Sequence, residues 1–229
     1  MRHHDQTAIL FFSRTPQEEA RHKRLVSRRK TADITTILRR QSLREAEALG
    51  LPVFHSTAKC QQGACFGERL ANAIESTFAK GYDRLLIIGN DTPDLDASGL
   101  QDAQRLLADD QLILGPSLDG GVYLIGLTLA SYQRNAFIQL AWETEELQAN
   151  FVAYAEAHAL NVHSLVPLAD IDTTADFWQF FNSLSPENIW RSVYVKLLQH
   201  HISSSYEYET IPLPLIAVLD CRALRAPPC

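Results

Sequence analysis

No run of apolar residues in this chain approaches the about 18–20 that a membrane-crossing helix needs, so no such span is expected. The apolar core of the N-terminal stretch, Ala8–Phe12, falls short of the about 7–15 residues of a secretory signal and reads better as a strand. Cysteine is scarce: Cys60, Cys65, Cys221 and Cys229 are too few for a disulfide scaffold in 229 residues. Free thiols in a reducing cytoplasm are the expectation. Lys and Arg number 21 against 27 Asp and Glu, a net charge of −6 that argues against a nucleic-acid-binding surface over the whole molecule. Repeats, low-complexity tracts and obvious linkers are all lacking.

What is present is ordinary for a folded domain: 46% hydrophobic and 21% charged residues, in a chain long enough to bury a substantial core. Arg84–Leu127 organises the rest. Two apolar runs, Leu85–Ile88 and Leu112–Leu114, each end in a glycine and a polar turn that delivers a carboxylate, Asp91 in GNDTPDL and Asp119 in GPSLDGG. In an open α/β sheet such turns border the ligand crevice beyond the carboxyl ends of the strands.

Around this stretch strands alternate with helices. Strands are expected at Thr7–Phe12, Leu51–His55, Val122–Leu127 and Val162–Leu168. Helical spacing runs from Thr31 to Leu49 with Gly50 as its stop, and Phe66, Leu70, Ala73, Ile74, Thr77 and Phe78 make one helix face. Ser98 with Gln101 suggests a capping box, Thr144 a helix cap, Thr174 another helix start, and Ser185-Pro186 a last helix through Leu198. The pattern predicts a three-layer α/β/α domain with a mainly parallel mixed sheet over residues 1–184. Residues 185–229 add a helix and an extended tail; apolar Ile211–Leu219 would pack on its own domain or on a second subunit.

Several residues can carry chemistry, each with a plainer reading beside it. Asp91 and Asp94 form a D-x-x-D turn that could hold magnesium against a diphosphate, or simply shape the turn. Asp119-Gly120-Gly121 could bring backbone N–H groups close to a phosphate or sugar, or connect two strands. Asp170 and Asp172, two apart, would point to the same side of an extended segment and meet a metal, or be solvated acids. The basic run Arg21–Lys30 suits the phosphates of a small ligand or a solvated helix face better than it suits nucleic acid, given the net negative charge around it. His3-His4 and His200-His201 are poorly spaced for one metal ion, and Cys60-x₄-Cys65 lacks the second pair of a zinc site.

Taken together, Gln62-Gly63 with Phe66-Gly67-Glu68-Arg69-Leu70, Ile88–Leu95, Gly115–Gly126, Trp142-Glu143-Thr144 and Asp170–Thr173 with Asp176 resemble a bacterial family of predicted glycosyltransferases. That family, long catalogued as a domain of unknown function, has the GT-A (nucleotide-diphospho-sugar transferase-like) fold. It is similar to molybdenum-cofactor guanylyltransferase and 2-phospholactate guanylyltransferase. The resemblance implies a transferase dependent on Mg²⁺ or Mn²⁺, using a nucleotide sugar and a small-molecule acceptor; the cytoplasmic location is expected from the lack of a membrane span or signal. Asp91 would be a catalytic residue and metal ligand, Asp119 a second catalytic residue lining the acceptor or sugar side, and Asp172 a second metal ligand. Arg14, Lys23, Arg69, Gly120 and Gly121 would contact nucleotide and phosphates. Nucleotidyl transfer from a nucleoside triphosphate, and a catalytically inactive binding protein of the same fold, stay open as alternatives. Two departures from the family pattern stand out. The first-loop Lys-x-Pro-x-x-Gly-x-x-Lys-Thr-Arg is replaced by Arg14–Leu25, without its glycine and with Glu18 and Glu19, and Glu143 stands where serine is usual.

Overall fold

A computed structural model describes residues 6–58, 60–107 and 111–199 and the backbone of residues 217–218. Strand β1 (Thr7–Phe12) leads into α1 (Pro16–His22), α2 (Arg28–Ala48) and β2 (Val53–Ser56). Helix α3 (Phe66–Phe78), β3 (Arg84–Ile88), α4 (Ala97–Leu106), β4 (Gln111–Pro116) and β5 (Val122–Thr128) form the centre. Helices α5 (Arg134–Ile138) and α6 (Leu147–Ala157), β6 (Asn161–Ser164), α7 (Thr174–Ser183), α8 (Ile189–Gln199) and the short β7 (Ala217–Val218) complete the chain.

The seven strands form one sheet in the order β6-β4-β5-β3-β1-β2-β7. All neighbours are parallel except that β5 runs antiparallel to both β3 and β4. The central strands are apolar at nearly every position because helices cover both faces. Ala8, Leu10 and Phe12 of β1 face α3, α5 and α6, with Leu70, Ile74, Phe137 and Phe151 opposite them. Ile9 and Phe11 face the other way, toward Leu43 and Ala46 of α2 and Leu100 and Ala103 of α4. This is the three-layer mixed α/β architecture the sequence predicts. A third cluster joins the outer side of α2 (Ile34, Ile37, Leu38) to Phe177 and Phe180 of α7 and Tyr194 of α8.

Local differences from the sequence expectations have physical causes. The last predicted strand, Val162–Leu168, is regular only to Ser164: Pro167 has no N–H for the ladder, and pairing resumes as one bridge between Ser117 and Leu168. Helix α4 is capped by Asp96, whose carboxylate accepts from the Gly99 N–H at 2.8 Å, so Ser98 lies within the helix. Helix α6 begins at Leu147 without a side-chain cap, and the Thr144 hydroxyl donates to the Ala141 carbonyl instead. Helix α8 begins at Ile189, three residues after Pro186. Cys60 is disulfide-bonded and Cys65 is a free, exposed thiol, so the expectation of free thiols fails at Cys60. His3, His4, His200, His201, Cys221, Cys229 and most of Ile211–Leu219 lie outside the described residues. Among the described residues no helix is long and apolar enough to cross a membrane.

Candidate active site

The carboxyl ends of β1 and β3 and the start of β5 open into a cavity of about 520 Å³. That is within the range that takes a small ligand. Its apolar wall is Phe12, Phe66, Leu70, Val122 and Trp142, with the Phe66 and Trp142 rings 5.3 Å apart. Arg14, Glu19, Arg69, Asp91, Asp119, Glu143, Glu145, Asp170 and Asp172 supply the charged lining.

The first loop turns at once into α1, which explains its two glutamates. Thr15 and Glu18 form a capping box: the Glu18 carboxylate accepts from the Thr15 N–H at 2.9 Å, and the Thr15 hydroxyl accepts in turn from the Glu18 N–H. Glu18 is thereby held below the usual carboxylate range, first by the Thr15 hydroxyl. Glu19, one residue on, is turned inward with a side chain only 7% exposed, 3.7 Å from Lys23 and 3.8 Å from Arg14. Burial and then Asp91 push its carboxyl up, while Lys23 and Arg14 pull it back.

Lys23, the C-cap of α1, projects its Nζ to the turn after β3. It lies 2.5 Å from Asp91 Oδ1 and 3.4 Å from Asp172 Oδ1, and donates to the Ile171 carbonyl at 3.1 Å. Burial alone would lower its pKa, but the three carboxylates outweigh burial and leave it raised, so it stays an ammonium. Asp91 is fixed from both sides: the Asn90 amide donates to its Oδ1 at 2.8 Å, and its carbonyl accepts the Ile171 N–H at 2.8 Å.

Asp170 and Asp172 both line the cavity, on the shared side that their spacing suggests, but they meet different partners. The Asp170 carboxylate accepts from the Ser117 hydroxyl at 2.6 Å and from the Thr92 hydroxyl, tying together the turns after β3 and β4. Burial raises its pKa, opposed by those two hydroxyls. Thr92 and Ser117 belong to the quoted motifs but carry no charge to mark them. Asp94 is exposed and does not line the cavity.

In the glycine turn, Asp119 Oδ1 accepts from the Gly121 N–H at 2.9 Å, and the Gly120 N–H reaches the Ser117 carbonyl at 3.2 Å. Both N–H groups are thus engaged inside the turn. What Gly120 provides is a φ of 92° beside the Glu145 backbone, where any Cβ would collide with the Glu145 carbonyl. Arg14, on the opposite rim, donates from Nη2 to Glu143 Oε1 at 3.1 Å. Glu143 itself stands at φ 61°, a left-handed conformation that costs about 1–2 kcal/mol for a residue with a side chain. Arg69 also lines the cavity and has no carboxylate partner among the described residues.

Comparison with known proteins bears on the fold. A protein of Desulfovibrio desulfuricans G20, described as a candidate nucleotide-diphospho-sugar transferase, superposes with a TM-score of 0.75. It is 26% identical, over 84% of this chain and 93% of that one. A CMP:2-keto-3-deoxy-manno-octonic acid synthetase solved with CTP overlaps at a TM-score of only 0.42 and 12% identity, over 84% of this chain and 99% of that one. No curated protein matches the chain. Residues 25–144 match the family described as "Uncharacterized protein conserved in bacteria (DUF2064)", beginning at the last residue of the divergent first loop. The chain belongs to this DUF2064 family and has a GT-A-like fold.

Proposed function

We propose that this chain is a cytoplasmic transferase that uses a nucleotide-activated donor, a nucleotide sugar, together with a divalent cation. The observation that carries this reading is the convergence of Asp91 and Asp172 on one cation position, at the rim of a ligand-sized cavity. The likeness to the Desulfovibrio protein supports it. Two carboxylates and the Ile171 carbonyl are hard oxygen donors of the kind Mg²⁺ and Mn²⁺ prefer, so the residues present fit such an ion. When bound, the ion would screen the charge of a leaving diphosphate. Asp91 and Asp172 hold it; Arg69, the uncommitted guanidinium, binds phosphate; Asp119 keeps one carboxylate oxygen for an acceptor hydroxyl. Gly120 and Gly121 hold Asp119 in place. Phe66 and Trp142 exclude water from one side.

Calorimetric titration with a panel of nucleotides and nucleotide sugars, with and without Mg²⁺, tests the reading. The expected result is metal-dependent binding of at least one member, abolished by Asp91→Asn. No binding by any member would overturn it and leave the inactive binding protein. Pyrophosphate as the product, in place of a nucleoside diphosphate, would turn the assignment to nucleotidyl transfer.

A further inference from the structure

The cation position between Asp91 and Asp172 is filled by a side chain of this protein. The Lys23 Nζ is within 4 Å of oxygens from four separate places: Asp91, Ile171, Asp172 and Glu19. Its side chain is 8% exposed, so the ammonium draws little help from water and depends on these oxygens. Asp91 and Asp172, with side chains 31% and 54% accessible, are partly solvated, and the ammonium offsets their mutual repulsion. A divalent cation would seek the same atoms, and two cations within a few ångströms of each other repel strongly in such surroundings. The carboxylates can therefore serve one of them at a time.

We propose that Lys23 is a resident counter-ion which a divalent cation must displace. Asp91 and Asp172 exchange the ammonium for the metal, and the released Nζ turns to the phosphates of the incoming ligand. Its anchor allows this: Lys23 is the C-cap residue of α1, held by its N–H to the Glu19 carbonyl at 2.9 Å, while four methylenes separate that anchor from the charge. The metal then binds weakly to the free protein and tightly only when a phosphate is there to receive Lys23, which couples the two ligands. The inference rests on the metal-assisted reading above.

Mn²⁺ binding to the full chain without nucleotide, followed by calorimetry and by the paramagnetic resonance of free Mn²⁺, tests it. Lys23→Met and Lys23→Gln are expected to bind Mn²⁺ at least about tenfold more tightly than the unaltered protein, because the competent state no longer has to be vacated. Lys23→Arg, which keeps the charge, gains nothing, and adding Asp91→Asn removes the gain. Equal or weaker Mn²⁺ binding by the two neutral variants overturns the proposal, as does a gain that survives Asp91→Asn. Should those variants fail to fold, as circular dichroism would reveal, ¹⁵N-lysine-labelled unaltered protein carries the test. The Lys23 Nζ resonance must shift when Mg²⁺ binds, and a bound metal that leaves it unmoved refutes the exchange. The calorimetric panel fails independently: absence of nucleotide binding would remove the transferase reading while leaving the Mn²⁺ comparison readable.

Discussion

Acid should destabilise this protein through one imidazole, and the size of the effect can be worked out. His55 in β2 is 5% exposed, its ring 5.5 Å from that of Phe11. Its Nδ1 takes a hydrogen bond from Arg39 Nη2 at 3.2 Å, and its Nε2 has no partner among the described residues. Burial first, and then the facing Arg39 cation, pull its pKa down from 6.5 to about 4. The folded value lies below the unfolded one, so the contribution is fully present above about 6.5 and is lost as the pH falls toward 4. Each factor of ten in proton affinity is about 1.4 kcal/mol, which makes the loss about 3 kcal/mol. Against a typical domain stability of about 5–15 kcal/mol that is a large share. Urea unfolding at about pH 7, 5.5 and 4 should show the unaltered protein losing about 3 kcal/mol more than His55→Asn, which keeps a neutral acceptor for Arg39. Parallel profiles for the two proteins would refute the reasoning. A second consequence reaches the cavity. Arg39 Nη1 donates to the Ser13 hydroxyl at 2.7 Å, and Ser13 lines the site, so ligand affinity should weaken only as the pH approaches about 4, where His55 charges in the folded protein.

Two further outcomes follow from packing. A Cβ at position 67 would lie 2.7 Å from two atoms of the Trp142 indole and 2.8 Å from the Ile138 carbonyl. Gly67→Ala should therefore cost about 1–3 kcal/mol in urea unfolding and displace the indole that walls the cavity, weakening ligand binding in calorimetry as well. Tyr194 of α8 is fully buried against Phe177 and Phe180, so Tyr194→Ala should cost about 3–5 kcal/mol. A thermal melt unchanged by that substitution would show that α8 contributes little to the fold.

The central sheet was readable because its information is local and dense. Leu85–Ile88 and Thr7–Phe12 are short apolar runs closed by turn residues, and both lie within strands covered on each face. Helix α3 shows its buried face in one period, and Gly50 takes the φ of 69° that its place after α2 requires. Helix α1 is not legible as a helix because its seven residues bury only Glu19 and Ala20, so it carries no apolar period; its one signal is Thr15 with Glu18. The cap of α4 was misplaced because Asp96 and Ser98 are both good cap residues, and only the structure shows which one meets a free N–H.

Pairings between distant residues were not legible, and they change how the site's two departures from its family are understood. In sequence, Glu18 and Glu19 look like charges that would repel a nucleotide, and Glu143 like an isolated replacement of serine. In the fold, Glu18 is bound to the start of α1, and Glu19 sits between Arg14 and Lys23. Glu143 lies 129 positions from Arg14 and pairs with it across the cavity rim. The substitutions therefore meet in space: acids introduced at positions 19 and 143 are balanced by the very cations that a family-like first loop would direct at phosphate. The pair at the rim is largely exposed, with side chains 34% and 55% accessible, and such pairs contribute at most about 1 kcal/mol. A phosphate could exchange for Glu143 on Arg14 at little cost. The Lys23 ammonium is buried beside Glu19, although Asp91 and Asp172 reach solvent, so displacing it demands a ligand that replaces its contacts together. The charge needed to hold a nucleotide is present in this chain, held in reserve by its own carboxylates and released at two thresholds: a low one at Arg14 and a high one at Lys23.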